Sequence, residues 1–520
     1  MIHRILKGGA LLCATGFAVP ALPADAGSCA ALAQLKLTDV RAVIQKAAHV
    51  PAGKAPATPG APPGPDVTLP AHCSVEGAID SRTGRNGKPY AIGFAIAMPD
   101  AWNGRFLFQG GGGLNGTLNP PLGGTAAGDQ PALARGFAVV STDSGHRGAV
   151  FDSSFFDDQE AALNFLYQAV AKTTELSKRI VTSYYGKAPA HAYFAGCSTG
   201  GREAMMMSQR FPGFFDGIIA GAPAMRTNYS NLATRWVTTS LNAAAPKDAE
   251  GKAQTDRALS ASDRKLVVDG FLKACDALDG ATDGMVFNVR GCKFDPGVLA
   301  CKAAKNDSCL STVQVEAIRK GFSGPKTRAG TPVYPGFLYD TGITASGRGI
   351  PGLLVTGMSP VGPSPTGTTM DVDAEAAEAH DARSMTGDTN AWTNLSSFTA
   401  HGGKLIFFHG VSDPWFSALD TVQYYERLAK DNAPLMLQDW SRLFLVPGMG
   451  HCAGGEKTLD RFDLLSPLVD WVEKGQAPQS VVAMGASQPG RSRPLCAWPK
   501  HAHYKGTGDA EDARNYSCAE

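Results

Sequence analysis

Ala190–Gly201, read A-H-A-Y-F-A-G-C-S-T-G-G, constrains this chain more than any other stretch. A short apolar run ends at Gly196, Ser198 stands between Gly196 and Gly200, and Arg202-Glu203-Ala204-Met205-Met206-Met207 starts a helical pattern. The pattern predicts a strand, a sharp turn bearing Ser198, and a helix, which together form a nucleophile elbow of the G-x-S-x-G type. Small residues flank the serine because the turn is strained and the helix must pack close behind it. Since G-x-S-x-G is common by chance, the weight falls on Cys197 beside Ser198 and on the partners the serine finds further along.

The 520 residues allow one large or two medium units, and 43% hydrophobic with 18% charged residues describes a globular chain. A net charge of +1 offers no basic field for nucleic acid or acidic lipid. His3, Arg4 and Lys7, the apolar or small run Gly8–Leu22 and Ala24-Asp25-Ala26 read as a signal peptide spanning residues 1–26. The run is too short for a membrane anchor, so no span is expected in the mature chain. Bulky Leu12 before Cys13 speaks against lipidation there. A secreted or periplasmic location follows. Of the 11 cysteines, ten remain after the leader, and an even number in an exported chain implies disulfides. Residues 27 to about 75, with a Pro/Ala/Gly-rich middle at Pro51–Pro70, are expected to form a loose N-terminal segment clipped at its ends by Cys29–Cys73.

Apolar runs at 91–98, 105–108, 137–141 and 217–222 read as strands, and 159–185 carries helical spacing. Strands alternating with helices predict a parallel α/β sheet. The alternation stops near Pro223 and resumes at Lys404–Gly410 and Arg442–Gly448. Residues 27–223 and 401–520 are therefore expected to form one sheet domain, with 224–400 inserted as a lid. Val361–Thr369 is a low-complexity loop.

A serine hydroxyl needs a base, a carboxylate to orient the base, and donors for the oxyanion. In α/β-hydrolases the chain order is Ser, then Asp or Glu, then His, on loops after late strands. Lys404–Gly410 leads into Val411-Ser412-Asp413, and Arg442–Gly448 into Met449-Gly450-His451. Asp413 and His451 are the candidate acid and base. Taken alone, Asp413 could equally cap a helix at Ser412-Asp413-Pro414. Cys452 follows His451 as Cys197 precedes Ser198, and a Cys197–Cys452 bridge would force the two loops together. Oxyanion donors are expected from the Thr199 amide and from the Gly-rich stretch Gln109–Gly116. Asp276, Asp279 and Asp283, with two Asp-Gly turns, either wrap a hard cation or form plain turns; the EF-hand spacing is missing.

Gly196–Arg202, Asp413 and His451-Cys452 resemble the tannase and feruloyl esterase family, which has a Cys-Ser…Asp…His-Cys arrangement. Ser141–His146, Gln209–Pro212, Phe215–Ile218 and Tyr504–Asp509 extend the likeness over nearly all of the mature chain. The resemblance implies an α/β-hydrolase fold with a large inserted lid and a serine carboxylesterase acting on small aromatic esters, feruloyl or galloyl. It implies Gly113 as the second oxyanion donor and Phe416 as an aromatic of the acyl pocket. It also implies a structural calcium ion held by Asp276, Asp279, Asp283 and the carbonyls of Ala281 and Met285, with no organic cofactor. Pairings Cys275–Cys292, Cys301–Cys309 and Cys496–Cys518 follow from it. Terephthalate monoesters are the alternative substrates; the family member that cleaves them uses an arginine for the free carboxylate, and neither Arg348 nor Arg383 is matched to it from sequence. A non-catalytic binding protein on the same fold, or a protease, is the remaining alternative, and the complete set of site residues and the resemblance speak against both.

Overall fold

The computed structural model describes residues 26–37, 39–56, 66–345, 350–355 and 364–520. Most of the expected leader with Cys13, the middle of Pro51–Pro70, the start of Val361–Thr369 and Arg348 lie outside the described residues. No helix among those described is long and apolar enough to cross a membrane.

Nine strands form one sheet: β1 Ala42–Val50, β2 His72–Thr83, β3 Pro89–Pro99, β4 Arg105–Gln109, β5 Ala138–Thr142, β6 His191–Cys197, β7 Gly217–Gly221, β8 Lys404–Gly410 and β9 Ser441–Val446. Their order is β1-β2-β3-β5-β4-β6-β7-β8-β9. Strands β4 to β9 run parallel, as the alternation predicted. The sheet is nevertheless mixed, because β1, β2 and β3 pair antiparallel and β3 joins β5 antiparallel. The N-terminal stretch expected to be loose thus supplies the edge strand β1. Its sequence A-V-I-Q-K-A-A-H-V carries two polar residues and a histidine, so pairing to β2 gives it an order that its own pattern does not announce. The Cys29–Cys73 bridge ties the preceding residues to β2.

The central strands are apolar almost throughout because both faces are covered. Alternation decides the side. Phe106, Phe108 and Phe194 face one apolar layer with α1, Ala169–Tyr185, and Met205–Met207 of α2, Thr199–Arg210. Leu107, Tyr193 and Ala195 face the other, with Leu465, Leu468 and Trp471. Burying each Phe, Leu or Met side chain among them contributes about 1.5–3 kcal/mol. The helical spacing at 159–185 appears as Gln159–Leu163, a π-turn over Asn164–Gln168, and α1.

Between β7 and β8 the chain leaves the sheet. Helices Thr227–Asn242, Ala261–Cys275 and Thr312–Phe322 close an apolar cluster of their own around Val237, Val267, Ile318 and Phe322. Capping boxes at Ser260/Asp263 and Ser311/Gln314 start the second and third of them. Leu395 and Phe398, near the end of that segment, already belong to the layer on the sheet. All five expected disulfide pairs are joined.

Candidate active site

The parallel register lines up the carboxyl ends of the strands. Gln109 pairs with Ala195, Cys197 with Gly221, Gly221 with Phe408, and Gly410 with Val446. The loops that follow β4, β6, β8 and β9 therefore emerge along one edge of the sheet, where open α/β sheets place their ligands. Those loops carry Gly113, Ser198, Asp413 and His451.

Ser198 sits at φ 65° and ψ −124°, a conformation that non-glycine residues rarely adopt. Its amide donates to the Gly221 carbonyl (3.0 Å), and its carbonyl accepts from Arg202 and Ala224 (3.0 and 3.1 Å). The glycines around it are required by space. A Cβ on Gly196 would stand 2.4 Å from the Gly200 carbonyl oxygen, and one on Gly201 2.3 Å from that of Gly221. The Gly200 amide donates to the Gly111 carbonyl (3.1 Å), docking the elbow on the Gly-rich loop. Thr199 Oγ1 donates to the Gly113 carbonyl. Gly113 has φ 57°, and a Cβ there would strike Val150.

Asp413 is fully enclosed. His451 Nδ1 lies 2.8 Å from its Oδ2. Its Oδ1 accepts the amides of Trp415 and Phe416 (2.9 and 3.0 Å) and so ties the turn after it, but it caps no helix: the next one, Ala418–Asp431, is capped by Ser417. Burial opposes its charge, but the charge of His451 and hydrogen bonds from His409 and His451 hold the carboxyl well below the usual carboxylate range. Cys197 and Cys452 are bridged at a Cα separation of 6.0 Å. Cys452 itself has φ 64°.

Sequence reading missed two residues here. His409, 0% exposed, places Nε2 at 3.3 Å from Asp413 Oδ2 and 2.9 Å from the Phe416 carbonyl, while Nδ1 meets Thr421 Oγ1 at 2.9 Å. Glu203, also buried, accepts the Gly111 amide and Asn115 Nδ2 (both 2.9 Å), bracing the Gly-rich loop from below. Burial pushes its carboxyl upward. The only hint in sequence was a histidine in an apolar strand and a charge in an otherwise apolar helix face.

Ser198, Thr199, Gly113 and Phe416 line one cavity of about 380 Å³. Phe151, Phe156 and Trp415 give it aromatic walls, and residues 224–229 and 379–388 close its far side. The Trp415 and Phe416 rings stack, and both lie against His451 (5.7 and 5.2 Å). Three arginines reach the cavity. Arg202 donates to the Phe165 and Leu166 carbonyls, and Arg226 is paired with Asp420. Arg383, which sequence could not place, lies over the Phe156 ring at 4.9 Å, with Asp381 at 3.9 Å.

Away from this edge, Asp276 accepts the Asp283 and Gly284 amides, Asp279 the Phe287 amide (2.6 Å), and Asp283 the Met285 amide (3.1 Å) and the Arg493 guanidinium. Burial, with the charges of Asp283 and Asp276 adding to it, pushes Asp279 up to about 7. So turned onto amides, the carboxylates do not converge, and among the described residues no group of three or more His, Cys, Asp or Glu side chains is set to hold a metal ion. The donor chemistry, three carboxylates within eight residues of which Asp276 and Asp279 are pushed upward by burial and by neighbouring carboxylate charge, still suits a hard cation.

A profile for "Tannase and feruloyl esterase" matches residues 73–358 and 366–519. Mono(2-hydroxyethyl) terephthalate hydrolase of Piscinibacter sakaiensis is 40% identical over 532 aligned positions, covering 89% of this chain and 87% of its own. A probable feruloyl esterase B-2 of Aspergillus terreus is 30% identical over 451 positions, covering 81% and 82%. The crystal structure of feruloyl esterase B from Aspergillus oryzae superposes with a TM-score of 0.76 at 27% identity, covering 95% of this chain and all of that one. The α/β-hydrolase fold is shared with these esterases.

Proposed function

This chain belongs to the tannase and feruloyl esterase family and is a carboxylic ester hydrolase, and on that premise we propose that it is an exported serine esterase acting on esters of aromatic acids. The observation that carries the reading is the contact of His451 Nδ1 with Asp413 Oδ2 at 2.8 Å, on a loop that a disulfide fastens beside Ser198. Ser198 Oγ attacks the ester carbonyl while His451 takes its proton. Asp413 fixes the imidazole tautomer and stabilises the imidazolium. The Gly113 and Thr199 amides receive the oxyanion. His451 then protonates the leaving alcohol, and water, activated in the same way, releases the acid from the acyl-enzyme. Phe416 and the other aromatic walls support an aromatic acyl group. Residues 224–400 act as the lid that closes the cavity. Five disulfides support export to an oxidising compartment.

A hydrolysis panel of methyl ferulate, methyl gallate and mono(2-hydroxyethyl) terephthalate tests the acyl group. The aromatic esters are expected to exceed an aliphatic ester of equal size by at least about tenfold in kcat/KM, since roughly 1–3 kcal/mol rides on filling an apolar pocket. Equal turnover of the aliphatic ester would refute the aromatic assignment. Arg383 favours a second reading for the terephthalate monoester, whose free carboxylate it would meet; Arg383→Ala should then raise KM for that substrate alone.

We also propose that Ca²⁺ is held by Asp276, Asp279, Asp283 and the carbonyls of Ala281 and Met285, where it would offset the repulsion among the three carboxylates. Chelation is expected to lower Tm by several degrees, since a ligand at about 100 times its Kd stabilises by about 2.7 kcal/mol. Because Asp279 is raised above its unfolded value, protons favour the calcium-free fold as pH falls from about 7 towards the ordinary carboxylate range. The chelator effect should therefore be larger at pH 8 than at pH 5. An unchanged melt with no calcium in elemental analysis refutes the site.

A further inference from the structure

Asp340, on the segment between β7 and β8, is 1% exposed. Its Oδ2 accepts two donors, the hydroxyl of Ser412 (2.7 Å) and the amide of Gly448 (2.6 Å). Ser412 immediately precedes Asp413 on the loop after β8, and Gly448 opens the loop after β9 that carries His451. One carboxylate oxygen thus bridges the two loops whose side chains must meet. The neighbouring chain repeats the contact: the Gly342 amide donates to Ser412 Oγ (2.9 Å). A Cβ on Gly342 would lie 2.5 Å from the Gly448 carbonyl oxygen and 2.6 Å from Ser412 Oγ. Gly448 is itself at φ 72°, with a Cβ excluded by the Lys457 carbonyl. Asp340-Thr341-Gly342 is therefore a wedge seated backbone-close against both loops.

We propose that Asp340 is a positioning residue that clamps the Asp413 loop to the His451 loop, so that the segment walling the far side of the cavity also sets the acid–base contact beneath it. The assignment rests on the proposed serine mechanism. A buried carboxylate with only neutral donors is expensive to keep. Burial pushes it up to about 6, against the hydrogen bonds from Ser412, Gly448 and Thr341. An apolar residue there would fill the same space at lower cost but would leave the Ser412 hydroxyl and the Gly448 amide without an acceptor and the two loops free to shift. Displacements of about 1 Å at such a contact cost on the order of 10²-fold in rate.

The test uses the full chain with Asp340→Ala, Asp340→Asn and Ser412→Ala, reading kcat, KM and the melting curve on an aryl ester beside Ser198→Ala. Asp340→Ala is expected to lose about 10- to 100-fold in kcat with KM within about threefold and a cooperative melt. Asp340→Asn keeps an oxygen for both donors and should recover kcat to within about fivefold of the parent. Ser412→Ala, which leaves the Gly448 bond, should fall between the parent and Asp340→Ala, and the Asp340→Ala/Ser412→Ala double variant should be no worse than Asp340→Ala alone. Parental kcat in Asp340→Ala, an Asn variant as slow as Ala, or a change in KM instead of kcat overturns the clamp. If Asp340→Ala does not fold, the Asn and Ser412 variants decide: parental kcat in Ser412→Ala, or an Asn variant that also fails to fold, overturns it. Retained activity in Ser198→Ala would instead overturn the mechanism on which the clamp rests.

Discussion

Ser198→Ala is expected to lower kcat by roughly 10⁴- to 10⁶-fold, or about 5–8 kcal/mol in the barrier, with little change in KM. The attacking oxygen is gone while the cavity, the Gly113 and Thr199 amides and the Asp413–His451 contact remain. What activity is left comes from substrate binding and the oxyanion donors alone. The variant should melt close to the parent. Alanine keeps the Cβ that makes φ 65° costly, so the strain at the elbow is unchanged. Ser198→Gly separates the two effects: it should be equally inactive, yet no less stable, because glycine relaxes the same backbone. Steady-state kinetics on an aryl ester and a melting curve check both. Substantial turnover by either variant would mean that another group attacks the ester.

Removing the Cys197–Cys452 bridge should cause the second-largest loss. The bond closes a sequence separation of 255 residues, for which the chain-entropy relation gives about 5.5 kcal/mol of stabilisation. The two cysteines flank Ser198 and His451, so freeing them loosens the distance on which the proposed proton transfer depends. A Cys197→Ala/Cys452→Ala variant is expected to lose on the order of 10²-fold in kcat and several degrees in Tm. Both single variants should resemble the double, since either removes the same bond. Cys301–Cys309, which spans 8 residues, is the control: its loss should cost less stability and leave kcat alone. Equal kinetic effects from the two bridges would show that the first is only a staple.

Much of the site was legible because its residues sit next to their own signals. Ser198 is marked by glycines that the tight approach to Gly200 and Gly221 requires. Asp413 and His451 follow apolar strands in the expected order, and Cys452 repeats beside His451 what Cys197 does beside Ser198. His409, Glu203 and Asp340 carried no such mark. Each is polar, lies in a stretch that reads as strand, helix or loop, and finds its role only through partners far away in the chain. Glu203 meets Gly111 and Asn115, and Asp340 meets Ser412 and Gly448. Whether a carboxylate is solvated or buried is decided by what packs over it, and periodicity says nothing of that. The same limit explains β1, whose mixed sequence becomes a strand because β2 offers an open edge.

By itself the sequence determined the α/β alternation, the elbow, the chain order of Ser198, Asp413 and His451, and the cysteines that flank Ser198 and His451. These are local or pairwise facts, carried by side-chain period, by glycine where a Cβ has no room, and by an even set of cysteines. Only the tertiary structure decided that four loops leave one edge of the sheet together. Parallel register does this, by bringing the ends of β4, β6, β8 and β9 level. The tertiary structure also decided which charges are buried against that edge and which arginines reach the cavity, because burial and long-range hydrogen bonding belong to the packed chain rather than to any stretch of it.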